Sequence, residues 1–254
     1  MQPIHDTWKD PRVRKGIFLS INYKDLLDAN YGKGDFWDLT GPLVSGFPGT
    51  WTSDDLMKMA GWNPNSKQAD LAEAKKLFDA AGVDPTKFAF SLHPGGTSGA
   101  WFDNAVRYKD QMDKLYPGNK ITIYQLADGA ELVRNLNAGN FDVMFYGSFP
   151  SPSAVLEGIT TYRTGGGRNY TKFSDPDVDK ICDNLLGETD AAARAKMMGD
   201  LQQKLLDQIF IAPVGKRRSV FARQAAIQGF EDWAGLGTFE SYNPAFSVDS
   251  VWMA

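Results

Sequence analysis

The apolar positions of the chain change period several times, and each change marks an element. Between residues 69 and 81, Leu71, Ala74, Leu77 and Phe78 recur at helical spacing and Gly82 follows, predicting an amphipathic helix closed by a glycine. Phe88-Ala89-Phe90-Ser91-Leu92 predicts a strand, with a loop from His93 through Gly95-Gly96 to Ser98. Residues 101–115 place Ala105, Tyr108, Met112 and Leu115 on one helical side, and Tyr116-Pro117-Gly118-Asn119 reads as a turn. The segment 120–126 is strand-like. Residues 127–138 then return to helical spacing through Leu132, Val133, Leu136 and Ala138, stopped by Gly139-Asn140. Phe141-Asp142-Val143-Met144-Phe145-Tyr146 is short and apolar enough for a buried strand. Strand, helix, strand, helix, strand predicts an α/β fold with a mostly parallel sheet and flanking helices.

The flanks are less regular. Pro11 near a first turn opens a helix carrying Val13, Ile17, Leu19 and Ile21, with a second helix over residues 24–29. Residues 31–51, rich in Gly, Pro and aromatics, predict a long loop packing through Phe36, Trp37, Phe47 and Trp51. Downstream, Val178, Ile181 and Leu185 mark one helix, while Met197, Leu201, Leu205 and Ile209 mark a longer one capped by Thr189 or Asp190. Residues 210–214 and 219–221 are strand-like, and 229–254 hold aromatics in little regular pattern.

Composition narrows the function. A chain of 254 residues, 43% hydrophobic, can bury a substantial core. The net charge of −4 with no basic block argues against nucleic acid. No run of 18 apolar residues occurs, and the first residues lack the basic start and apolar stretch of a signal peptide. Cys182, the single cysteine, stands beside Ile181 and Leu185 and reads as a packed thiol.

Ligands of open α/β sheets collect beyond the carboxyl ends of strands, so the loop over residues 147–152 is the first candidate surface. Tyr146, Ser148 and Phe149 belong to it, and Tyr162, Arg163, Arg168 and Asn169 follow in the next loops. Catalytic patterns fail. Ser148 lacks the Gly-x-Ser-x-Gly frame of a nucleophile elbow, and His5 is the only histidine besides His93. Gly165-Gly166-Gly167-Arg168 lacks the ending of a phosphate loop and reads as a flexible surface turn. Asp175, Asp177, Asp179 and Asp183 mimic a calcium loop, but Lys180 and Leu186 stand where Gly and Glu are required. Neither catalysis, a metal nor a cofactor is expected.

Six segments in order carry a resemblance: residues 10–17 (DPRVRKGI), 72–83 (AEAKKLFDAAGV), 137–143 (NAGNFDV), 169–180 (NYTKFSDPDVDK), 188–190 (ETD) and 211–214 (IAPV). Together the chain resembles the extracytoplasmic solute-binding proteins of peptide-type ABC transporters, the dipeptide- and oligopeptide-binding family. The resemblance implies a two-lobed fold that closes on a ligand. Residues 1–213 would be the second lobe and 214–254 a return into a first lobe that the chain lacks, so the long loop should leave Trp37 and Trp51 partly exposed. It also implies a membrane permease as partner, a periplasmic or extracytoplasmic full-length protein, and a monomer. Where peptide binders carry an acid for the ligand's α-ammonium, alignment on Pro152 puts Ser148, which opens the ligand class to opine-like or sugar-like solutes as well as peptides. A ligand-sensing module of a regulator and an α/β hydrolase are the alternatives.

Overall fold

A computed structural model describes residues 6–33, 36–96, 99–147 and 153–217, together with the backbone of 227–228 and 252–253. Helices α1 (Asp6–Lys9) and α2 (Pro11–Ser20) come first. The Asp10 carboxylate accepts the Arg12 amide at 2.8 Å and caps α2, where Pro11 supplies a preset φ and gives up an N–H that would have no partner. Next come α3 (Tyr23–Tyr31), β1 (Trp37–Asp38), α4 (Ser53–Leu56) and α5 (Lys67–Ala81). Gly82 ends α5 in the left-handed conformation, φ 67°.

The predicted alternation follows: β2 (Ser91–Pro94), α6 (Ala100–Leu115), β3 (Thr122–Ile123), α7 (Gly129–Ala138) and β4 (Val143–Phe145). These strands form one parallel sheet in the order β3-β2-β4, with Leu92 beside both Ile123 and Val143. Then come α8 (Ala154–Thr161), α9 (Pro176–Gly187), α10 (Ala191–Gln208) and β5 (Lys216–Arg217), which pairs antiparallel with β1. Two short tail strands, β6 (Ile227–Gln228) and β7 (Trp252–Met253), pair with each other.

Several expectations shift. The first strand starts later and takes in His93 and Pro94, β3 shrinks to two residues, residues 210–214 form no strand, and α8 was not anticipated. Residues 219–221 lie outside the described chain. The long loop is corrected most. Gln202, fully buried, accepts the Trp51 amide at 3.2 Å and donates to the Gly49 carbonyl at 3.0 Å. A Cβ on Gly49 would lie 2.7 Å from the Ala195 Cα, so loop backbone rests directly on α10. Trp37 is buried, against expectation, and donates to the Gly32 carbonyl at 3.0 Å, while Trp51 stays partly exposed as expected, packed against Gly41. The loop therefore folds onto this body. Phe36 alone of its named aromatics stays largely exposed.

Two buried clusters make the interior. One surrounds the sheet and α1, α2, α3, α5 and α6, and holds Trp8, Phe18, Trp62, Phe78, Phe88 and Phe90. The other lies among α8, α9 and α10, with Leu43, Val178, Cys182, Leu185, Leu201 and Phe173. Arg14 of α2 spans the seam, only 1% exposed. Its guanidinium donates to the carbonyls of Gln208 at 2.7 Å, Lys9 at 3.0 Å and Trp8, and lies 3.9 Å from the Phe210 ring centre. Burial pushes its pKa down to about 10, with Asp10 pulling the other way. No helix of the described residues is long and apolar enough to cross a membrane.

Candidate ligand-binding site

The three parallel strands end at one edge of the sheet, and the next residues build a rim. Tyr124 follows β3, Gly95 follows β2, and Tyr146-Gly147 follows β4. A Cβ on Gly95 would lie 2.7 Å from the Phe145 carbonyl oxygen, so the turn after β2 presses on the end of β4. On Gly147 it would lie 2.1 Å from the Trp101 ring, which places the first turn of α6 across the same strand end. At Gly95 the neighbour is backbone, so only glycine permits the approach, whereas a side chain at 147 would push the Trp101 ring aside. Trp101, Tyr124 and Tyr146 are each roughly two-fifths exposed, at 37%, 37% and 43%, and among the described aromatics only Phe36 is as open. Exposed rings grouped at strand ends are suited to packing against a ligand.

Beneath the rim lies a polar network. Ser91 donates its hydroxyl proton to Asp142 at 2.8 Å and sits 2.8 Å from His93 Nε2, which must then donate to it. The His93 ring stacks on Tyr124 at 4.4 Å between centres, and the Tyr124 hydroxyl donates to Glu131 at 2.5 Å. In a nucleophilic triad the imidazole stands between acid and serine; here the serine stands between acid and imidazole. This network orients Tyr124 and ties β2 to the start of β4.

The sequence-named residues separate. Tyr146 is on the rim, its ring edge-on to Tyr170 at 5.9 Å. Burial raises its hydroxyl pKa, Tyr170 adds to this, and the Arg168 charge opposes it. Arg168 is part-exposed, 3.9 Å from the buried Glu157 carboxylate. Tyr162 does not face the rim: it is 5% exposed, donates to the Pro42 carbonyl at 2.6 Å, and has its pKa pushed far up by burial. Asn169 is likewise buried. Its amide donates to the carbonyls of Phe173 at 2.7 Å and Arg163 at 3.1 Å, and its oxygen accepts from the Phe173 amide and the Thr171 hydroxyl. Both are scaffold. Arg163 is held by Asp183 through contacts of 2.8 and 3.4 Å. Ser148 and Phe149 lie outside the described residues.

Sequence reasoning passed over Trp101, Tyr124, Tyr170 and Glu157. The available signal for Tyr124 and Tyr146 was the same, an aromatic just past a strand. The glycine run is a surface turn, as expected, but one tied to α8: a Cβ on Gly166 would lie 2.5 Å from the Thr160 carbonyl oxygen, and the Arg168 amide donates to that oxygen at 2.8 Å. It closes the end of α8. Each acid of the false calcium loop has a partner: Asp175 caps α9, Asp177 meets Lys204, Asp179 accepts the Thr164 amide and Asp183 takes Arg163. Cys182 is a buried thiol that burial raises to about 11, in keeping with a packing role.

The described body is thus a parallel sheet with exposed aromatics at its strand ends and helices on its flanks. Residues 1–170 match the model of the bacterial extracellular solute-binding proteins, family 5 Middle, and the chain belongs to that family. It is 24% identical over 235 residues to the dipeptide-binding protein of Pseudomonas aeruginosa, covering 89% of this chain and 41% of that protein. To the periplasmic murein peptide-binding protein MppA of Escherichia coli it is 25% identical over 212 residues, covering 81% and 37%. The fold matches the ABC transporter-associated periplasmic binding protein DppA of Helicobacter pylori, solved with the peptide STSA, at a TM-score of 0.73 and 16% identity over all of this chain and 46% of that one. The chain thus spans about two-fifths of the length of the curated relatives it matches.

Proposed function

We propose that the chain is the ligand-receiving lobe of an ABC-transporter solute receptor, which binds a peptide or related small solute at the strand-end rim without chemical change. The observation that carries this is the cluster of exposed aromatics at the carboxyl ends of β3 and β4, in a chain of the solute-binding family. Residues 1–213 act as the second lobe, and 214–254 form a return toward a first lobe. The receptor works as a periplasmic or extracytoplasmic monomer, delivers to a membrane permease, and needs no cofactor. Relatives named for binding dipeptides, tripeptides and murein peptides support the peptide class.

Of the described residues, Tyr146 and Arg168 are assigned to the ligand face, and Ser148 and Phe149 are added on their sequence position. Serine at the ammonium position offers a neutral hydrogen bond of about 0.5–1.5 kcal/mol where a carboxylate would offer about 1.5–3 kcal/mol. A free N-terminal amine is therefore worth little here, which favours capped, opine-like or sugar-like solutes beside ordinary peptides. The test is an NMR titration of the chain with Ala-Phe and its N-acetyl form, then with Ser148→Asp. Both ligands should shift the indole of Trp101 with similar affinity, and Ser148→Asp should favour the free amine about tenfold. A free amine already much preferred in the wild type would move the ammonium site to another acid. No shift from either peptide would remove the ligand face itself.

A further inference from the structure

The three exposed rings at the strand ends are backed in different ways. Trp101 lies over the backbone of Gly147, and Tyr146 stands edge-on to Tyr170. Tyr124 instead lies flat on His93, with 4.4 Å between ring centres and 10° between planes. The register explains the stack. Ile123 pairs with Leu92, so Tyr124 and His93 come next on two adjacent parallel strands and project to the same side of the sheet. Within the described sheet β3 is an edge strand, so the other face of the Tyr124 ring looks away from β2, and the residue is 37% exposed.

The ring is also pinned at its far end. Its hydroxyl donates to one oxygen of Glu131 on α7 at 2.5 Å, and the other oxygen of Glu131 accepts the Ala127 amide at 2.6 Å. The bond to Glu131 raises the Tyr124 pKa. The same bond, helped by the Ala127 amide, lowers that of Glu131, so the proton stays on the phenol and the charge on the carboxylate. Arg134, one turn further along α7, adds a smaller pull on Glu131, and Asp128 opposes it. A phenol that donates to a carboxylate gains electron density in its ring, and the negative face of an aromatic ring attracts cations. His93 covers one face of Tyr124, which leaves the outer one on offer.

We propose that Tyr124 is a specificity-determining residue that stacks a planar cation of the ligand, a guanidinium, on its outer ring face. This rests on the reading of the strand ends as the ligand face and gives that face a preference among side chains. A guanidinium is flat, weakly hydrated and always charged, so it continues the stack begun by His93 and Tyr124 where a compact, strongly hydrated ammonium fits less well. Glu131 is a positioning residue: each of its oxygens already accepts a hydrogen bond within the fold, and it acts through the phenol, fixing the plane of the ring and enriching its face.

The probe is the dipeptide Ala-Arg, compared with Ala-citrulline, which keeps the planar end of the side chain and loses its charge. Titration of the full chain, followed by NMR through the Tyr124 ring and the Trp101 indole, should find Ala-Arg about fivefold tighter, with Ala-Lys between the two. Tyr124→Leu should bring Ala-Arg and Ala-citrulline to one affinity, and Tyr124→Trp should restore the preference. Glu131→Gln should roughly halve the ratio of the two affinities, a change in selectivity that mere loosening of α7, weakening both peptides alike, would not give. Equal affinities in the wild type, with both peptides shifting the strand-end resonances, overturn the Tyr124 assignment and leave the ligand face standing. A preference that survives Tyr124→Leu overturns it as well, and Ala-Lys binding as tightly as Ala-Arg overturns the stacked guanidinium. If no peptide shifts a strand-end resonance, the ligand face and the assignment fall together.

Discussion

The two buried clusters do the same work with different material. Around the sheet, large rings interlock: Phe78 stands edge-on to Phe88 at 5.6 Å and to Tyr116 at 5.8 Å, and Phe18 meets Trp62 at 4.9 Å. Among α8, α9 and α10 the filling is mostly aliphatic, and the irregular segments beside it are held by buried polar groups, Gln202 on the 39–51 loop and Asn169 on the 162–174 loop. Ring packing is tolerant of direction and proportional to area, whereas buried hydrogen bonds are directional and costly when unmade. The first cluster therefore supplies bulk stability, and the second fixes loops in place. The rim draws on both, Tyr146 from the sheet and Arg168 with Tyr170 from the locked loop.

If that division is right, truncating Phe78 to Ala should cost about 3–5 kcal/mol and Leu201→Ala about 2–5 kcal/mol, each read as a drop in urea midpoint. Hydrogen exchange should then show Phe78→Ala loosening α2 and α5 before α9. Uniform loosening would mean that the clusters are one cooperative unit. The seam is tested by Arg14→Met, which strips a donor from one buried and two part-buried carbonyls and should cost about 3 kcal/mol. It should also separate the two clusters into distinct unfolding steps. Asn169→Ala should cost less, about 1–3 kcal/mol. Its exchange rates should rise only over residues 162–174, the loop that Asn169 holds.

Acid supplies the smallest effect. Asp10, Asp55, Asp84, Asp177 and Glu131 are all held below their ordinary values, led respectively by Arg12, the Thr52 amide, the Thr86 hydroxyl, Lys204 and Tyr124. An acid with a lowered folded pKa stabilises the fold above its unfolded value and loses that contribution as pH falls through the folded one. Urea midpoints should therefore stay level from about pH 7 to 5 and decline below about pH 4. These groups are open to solvent, so the decline should be shallow. A midpoint rising toward acid would contradict the sign.

The ring cluster was easier to read than the polar one. Helix α7 was legible because its spacing is local and Gly139 stops it, and the parallel alternation followed from strand and helix periods alone. Helix α5 was found with its end at Gly82, two residues short at its start. The long loop was misread because what holds it is Gln202, more than 150 residues away, and nothing near Gly49 or Trp51 announces that partner. Tyr162 and Asn169 were placed toward the ligand for the same reason. Their polar groups invite a binding role until the Pro42 and Phe173 carbonyls are seen to occupy them. Tyr146 stands at the rim beside Tyr170, whereas Asp183, which holds Arg163, comes from α9, and sequence spacing does not point to it.

The pressure of Trp101 on Gly147 has an evolutionary corollary. A ring seated where the next heavy atom would be 2.1 Å away makes the two positions answerable to each other. A lineage that acquires a side chain at 147 must shorten residue 101, turn the start of α6 or swing the indole off the strand end. Among divergent descendants of this chain the two sites should change together, with smaller or repositioned side chains at 101 accompanying departures from glycine at 147.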